Sequence, residues 1–224
     1  NKPYSCIDMI FKASNDALND IDWNIPVVMW LDYDKKLNNG MFKDISTFFS
    51  QAPLASMFII TVNIQKDVPS LGAEMDAKKI KAFRVKQLKK RVAREKLPDD
   101  IDSRNLGTDE NRKLVFELLN DQINEVLSTR NGVINDPKNK IKYQQIFNFF
   151  YSDGAPMLTI GGILFREEQK EIFSRAKFRE LGFYSEDIES FMIEVPSLTF
   201  KEIYYLNEVL PDYISNGIPL NDDE

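Results

Sequence analysis

The stretch PVVMWLDYDKKLNNGMFKDISTFFSQAPLASMFIITVNI, Pro26 to Ile64, decides the fold. Two apolar runs, Val27–Leu31 and Met57–Val62, enclose a segment whose Met41, Phe42, Ile45, Phe48 and Phe49 share one helical face. Runs that apolar read as strands buried on both faces, over 26–32 and 56–64, the kind found in parallel sheets. Strand, helix and strand at this spacing imply a parallel pair joined by a right-handed crossover. The first strand runs into Asp32 and Asp34, and the second ends at Asn63. The expected fold class is therefore α/β, with a doubly wound, mostly parallel sheet.

Outward from this unit the pattern extends both ways. Residues 4–12 alternate as a strand would, and Ser14 or Asn15 is placed to cap a short helix over Asp16–Ile21. Downstream, 73–97 reads as a basic helix, 98–110 as a polar loop and 111–129 as a helix with a continuous apolar stripe. Residues 143–151 and 157–165 read as strands joined through a polar turn at Tyr151, Asp153 and Gly154. The pair Gly161-Gly162 inside the second of these demands a bulge or a close backbone approach. A helix over 166–181, a strand over 189–198 and a helix capped by Thr199 with Glu202 complete the chain. This divides it into a first part of the core, 1–72, a helical insertion, 73–140, and a second part of the core, 141–224.

Composition narrows the chemistry. With 43% hydrophobic and 29% charged residues, the 224-residue chain reads as globular with a substantial core. No apolar run approaches the roughly 18 residues of a membrane span. There is no histidine, which excludes Ser-His-Asp and Cys-His catalysis and every His-ligated metal within the chain. A single cysteine, Cys6, excludes an internal disulfide and points to a reducing, cytoplasmic setting; its apolar neighbourhood predicts burial. The first residue is Asn, and the apolar pattern begins at once, as expected of a piece whose upstream part is missing.

Charge is distributed unevenly. From Lys78 to Lys96 there are ten Lys or Arg against one Glu, a local +9, so the remainder of this −6 chain carries −15. Ile80, Phe83, Val85, Leu88 and Val92 recur at helical spacing through the same stretch, making the helix amphipathic. One reading is a solvated helix packed on the domain. The other is a face for nucleic acid or protein, centred on Lys86, Lys89, Lys90 and Arg91. Binding at a membrane surface is a third reading.

Taken together, CIDMIFKASNDAL, VVMWLDYD, MFIITVN, MLTIGGILF and FMIEVP resemble the second half of a class I S-adenosylmethionine-dependent methyltransferase, a Rossmann-like fold. The signatures WLDYD, TVN and DGAPMLTIGG also resemble an uncharacterised bacterial group of methyltransferase-like proteins. The resemblance implies methyl transfer from S-adenosylmethionine to an unknown acceptor. It puts Asp16 where the family contacts the adenine, and Asp32 where strand ends face cofactor and substrate. The glycine-rich phosphate loop and the acidic ribose contact of the family are absent, so a complete cofactor site is expected to need residues upstream of Asn1 or another chain. The D/N-P-P-Y/F motif of amino-methylating nucleic-acid enzymes is absent too, because no proline follows Asp32.

Three roles stay open for the paired aspartates. Asp32, Asp34 and Asn63 form a hard oxygen set that suits Mg²⁺, and with it a phosphate-processing metal enzyme. Asp34 could instead stand at the N-terminus of the next helix. Contact with cofactor or substrate without metal is the third role and the one carried forward. On that reading Asp32, Asp34, Tyr151 and Asp153 are the candidate catalytic residues, and Asp16 and Asp32 the candidate cofactor contacts. A catalytically silent module that binds protein or nucleic acid through the basic helix is the competing expectation.

Overall fold

The computed structural model describes residues 6–69, 76–194 and 198–216. In chain order a turn of helix, α1 (Ser14–Ala17), precedes β1 (Val28–Lys36), α2 (Asn39–Gln51) and β2 (Met57–Asn63). The basic α3 (Ala77–Arg91) and the long α4 (Thr108–Asn131) follow. Then come β3 (Ile141–Asp153), β4 (Ala155–Arg166), α5 (Lys170–Arg175), β5 (Phe191–Ile193) and α6 (Phe200–Asn216). The chain divides into two units, 1–193 and 194–224. In the second, α6 starts as its sequence predicts: the Thr199 hydroxyl and backbone N–H donate to the Glu202 carboxylate.

The described strands form one sheet in the order β1-β2-β4-β3-β5. β1 and β2 are parallel neighbours, as a crossover through α2 requires, and β3 and β5 are also parallel. β4, however, is antiparallel to both β2 and β3. The expected mostly parallel sheet is thus corrected to a mixed one. The reason is local. Asp153 pairs with Ala155 across Gly154, whose φ of 77° is the left-handed conformation that glycine adopts without cost. A connection that short can only reverse the chain, never cross over.

Gly161 and Gly162 make the hairpin possible. A Cβ on Gly161 would fall 2.2 Å from Cζ of Phe147, and one on Gly162 would fall 2.2 Å from the Gln144 carbonyl oxygen. β3 bulges opposite them, between Gln145 and Phe147. The close approach expected from the sequence is therefore what these glycines permit.

One sheet face carries the core. Met29, Leu31, Phe58, Ile60, Leu158 and Ile160 lie buried against the Phe48 and Phe49 face of α2 and the apolar stripe of α4. Phe48, Phe49 and Phe58 meet with ring centroids 4.9 to 5.1 Å apart. Burying each such ring is worth about 2 kcal/mol. The other face is open at β1, where Val28 is 74% and Trp30 62% exposed. The expectation of a strand buried on both faces is corrected accordingly, because no described element covers that side of β1.

Three smaller expectations also change. Residues 6–12 form no strand, and Met9, Ile10 and Phe11 are exposed; apolar alternation alone makes no strand without a partner edge. Residues 4–5 lie outside the described part. Cys6 is exposed, since the segment that carries it stands off the core. The helix expected over 166–181 is broken: α5 ends at Arg175, and Lys177 takes a left-handed φ of 58°.

The link from β3 to β5 is held by polar side chains. Gln145 donates to the carbonyls of Ser185 and Asp187, and Asn148 to those of Asp187 and Ile188. Arg112 of α4, only 8% exposed, donates to Ile188 O and Ser190 Oγ. The strap satisfies both ends of the buried Asn148 amide and the Gln145 amide nitrogen, while Gln145 Oε1 finds no partner among the described residues. No helix among the described residues is long and apolar enough to cross a membrane.

Candidate active site

The carboxyl ends of β1, β2 and β3 share one edge of the sheet, because β4 is the strand that runs the other way. At the β1 end lies a crevice of about 350 Å³, bounded by Asp32, Tyr33, Asp34 and the start of α2. The helix begins here because Asn38 caps it: its side-chain oxygen accepts from Gly40 N at 2.9 Å. Asp34 does not do so, which corrects the capping role considered for it.

The floor of the crevice is Asp44, 1% exposed in the second turn of α2. Its carboxylate accepts from Ser14 Oγ at 2.5 Å, from Asn15 Nδ2 and from the Tyr33 hydroxyl. Three donors offset the desolvation of this buried charge. Burial, and then the adjoining Asp44 carboxylate, push the Tyr33 hydroxyl far above its ordinary range, so it stays a donor. Ser14 and Asn15 therefore do not cap α1, whose N-cap is Ala13 with no side-chain bond. They tether α1 to α2 instead.

Asp32 and Asp34 are different. Both carboxylates are exposed, and no hydrogen bond or ion pair reaches them from the described residues. Below Asp32 on the open face, Trp30 Nε1 donates to Thr61 Oγ1, which bonds Thr159 Oγ1, each at 3.0 Å. The amide of Asn63 is already engaged: Nδ2 donates to the Asp34 carbonyl, and Oδ1 accepts from Gln65 N. Asn63 locks the ends of β1 and β2 together and is not a free ligand beside the two aspartates.

The other expected site residues lie apart from this crevice. Asp16 is exposed on α1, beside Ser14 and Asn15, but does not line it. Tyr151 is half-buried near the end of β3 and, by strand alternation, shares a sheet face with Asp32. Three strand spacings separate β1 from β3, roughly 14 Å. Asp153 ends β3 opposite Ala155, and its side chain lies outside the described part.

A second set of charges braces the crevice edge. Asp67, just past β2, accepts from Lys36 Nζ at 2.8 Å and from both terminal nitrogens of Arg91 at 2.8 and 3.2 Å. Arg91 is thus an anchor, not a free cation as the sequence suggests. Burial raises the Asp67 carboxyl, but its hydrogen bonds to Arg91 and Lys36 outweigh that and hold it below the usual carboxylate range. A depressed folded value contributes stability that is complete above the unfolded value, about 4, and lost as pH falls through the lower folded one. Acid titration is therefore expected to destabilise wild type more than Asp67→Asn between about pH 4 and pH 2. Parallel acid-melting curves would remove this brace from the account.

The residues that sequence reasoning missed are Tyr33, Asp44, Ser14 and Asn15 as one network. The available signal was Asp44 itself, a carboxylate on the apolar face beside Met41, Ile45 and Phe48. A charge there has to be answered by donors from elsewhere in the chain.

A family model described as "Putative O-methyltransferase" matches residues 1–222 of the chain. No curated protein matches it.

Proposed function

The chain belongs to this O-methyltransferase family, and from that membership we propose that it moves a methyl group from S-adenosylmethionine to an oxygen acceptor at the carboxyl end of β1. The observation that supports the placement is the pair of carboxylates, Asp32 and Asp34, unpartnered among the described residues above the saturated Asp44 network. In open α/β sheets ligands bind beyond the carboxyl ends of the strands.

The oxygen-rich crevice fits that cofactor chemically. Carboxylates accept from ribose hydroxyls and amino groups, and their negative charge favours a sulfonium cation. Asp32 and Asp34 are the residues that would hold it, with Asp16 at the adjoining rim. When bound, S-adenosylmethionine supplies an electrophilic methyl group: the acceptor oxygen gains the carbon as the carbon–sulfur bond breaks, leaving a neutral thioether.

The chain's own part is positioning and proton transfer. Asp32, exposed at the strand end, orients the acceptor hydroxyl and takes its proton. Tyr33 and Asp44 hold the strand end and α2 in register, so that the carboxylate does not wander. Tyr151 and Asp153 stand on the same edge of the sheet, where a long acceptor would extend. The single thiol suits a reducing, cytoplasmic setting.

Calorimetric titration of the intact, full-length protein with S-adenosylmethionine tests this reading. We expect saturable binding, weakened about tenfold by Asp32→Asn, which corresponds to about 1.4 kcal/mol. No heat at millimolar cofactor would overturn it. The rival reading, a catalytically silent module that binds protein or nucleic acid through α3, predicts that flat titration.

A further inference from the structure

We infer that the exposed face of α3 holds the phosphate backbone of an RNA strand and presents it to the β1 crevice. The helix turns Val85 and Leu88 inward and fixes Arg84 on the Asp67 and Asn105 carbonyls. What remains outside is Lys78, Lys79, Lys86, Lys89 and Lys90, with Ala77 and Ala82. Lys89 is paired with Asp102 at 2.7 Å. Lys79, Lys86 and Lys90 have no carboxylate partner among the described residues. Spacings of seven and four residues put these three on one side of the helix, about 10 and 6 Å apart along its axis. That is a row of unneutralised cations on a chain that is otherwise strongly acidic.

Position adds to charge. Arg91 and Lys36 both grip Asp67, and Ala93 N donates to Asn39 Oδ1 in the first turn of α2. The C-terminal turn of α3 is thereby tied to the segment joining β1 to α2, the same segment that carries the crevice residues Asp34, Lys35 and Asn38.

The chemistry selects the partner. Lysines are point charges that read phosphate oxygens and leave bases unread. The exposed arc carries no large apolar side chain to enter a lipid surface. The acceptor assignment rests on the methyl-transfer reading: along a nucleic-acid strand the free hydroxyl is the ribose 2′-OH, which marks RNA. In the transfer, the 2′-oxygen gains the methyl carbon, the carbon's bond to sulfur breaks, and the hydroxyl proton passes to Asp32.

Fluorescence anisotropy of the full chain with a labelled single-stranded RNA tests the docking without any turnover. We expect wild type to bind with an affinity that falls steeply with salt. The triple variant Lys79→Glu, Lys86→Glu, Lys90→Glu should bind at least about tenfold more weakly, and the Lys→Gln version should flatten the salt slope by about 2, near 0.7 for each lost contact. Because the side chains are exposed, thermal melting and cofactor titration should not change. Equal RNA affinity in variant and wild type would overturn the inference. So would wild type that binds vesicles rich in phosphatidylserine, or a polyglutamate peptide, in preference to RNA. Loss of cofactor heat with RNA binding intact would sink the methyl-transfer reading alone; the reverse result would sink the docking alone.

Discussion

Asp44→Ala is expected to destabilise the chain by about 3 kcal/mol, the larger part of it from donors left without an acceptor. The carboxylate is 1% exposed and takes hydrogen bonds from Ser14, Asn15 and Tyr33. Alanine removes the charge, which is favourable in itself, but takes the acceptor from the Ser14 and Tyr33 hydroxyls, while the exposed Asn15 keeps the Gly40 carbonyl. The Tyr33 hydroxyl fares worst, because partial burial already costs it some of its hydration. Asp44→Asn keeps an acceptor oxygen and should lose about half as much. Because the network fixes α1 and the β1 end to α2, the alanine variant should also lose cofactor heat while Asp32 and Asp34 are intact. Urea unfolding with an unchanged m-value measures the first effect. A loss below about 1 kcal/mol would show that the network is ornamental.

Gly162→Ala is expected to cost about 3 kcal/mol or to prevent folding, more than Gly161→Ala. The two glycines are adjacent, and their ideal Cβ atoms each meet another atom at 2.2 Å, yet the obstacles differ. At Gly161 the obstacle is the Phe147 ring, which stacks on Phe149 at 4.7 Å and can tilt away. At Gly162 it is the Gln144 backbone carbonyl of the neighbouring strand, with the Tyr143 ring behind it at 2.7 Å. A backbone cannot yield without opening the β3–β4 ladder, and this hairpin joins β2 to the rest of the sheet. Thermal unfolding of the two variants side by side gives the order, and the reverse order would contradict it.

The legibility of this chain followed the range of the interactions. The strand–helix–strand unit is set by side-chain periodicity within some forty residues, and its elements fall within a few residues of their expected bounds. The glycine pair and the Thr199 cap are equally local. The mixed sheet was not read, although Asp153-Gly154 between two alternating apolar runs is a hairpin signal in its own right. A parallel pattern was carried past that signal from the first unit. The crevice was half read. Asp32 and Asp34 end a conspicuous strand. The groups that support them come together from Ser14 to Asp44, and only the tertiary fold brings these into contact. The basic helix shows the same division. Its charge was plain in the sequence, but which cations are spent on Asp67 and Asp102, and which stay free, depends on loops that fold back against it.

The account stands on the crevice at the end of β1 being the cofactor site. Titrating unlabelled S-adenosylmethionine into the ¹⁵N-labelled, intact full-length protein and following backbone amide shifts tests that location directly. The expected result is saturable shifts concentrated on Ser14 to Asp16 and Asp32 to Gly40, and lost in Asp32→Asn. Shifts that cluster elsewhere in the chain, or none at millimolar cofactor, would contradict it.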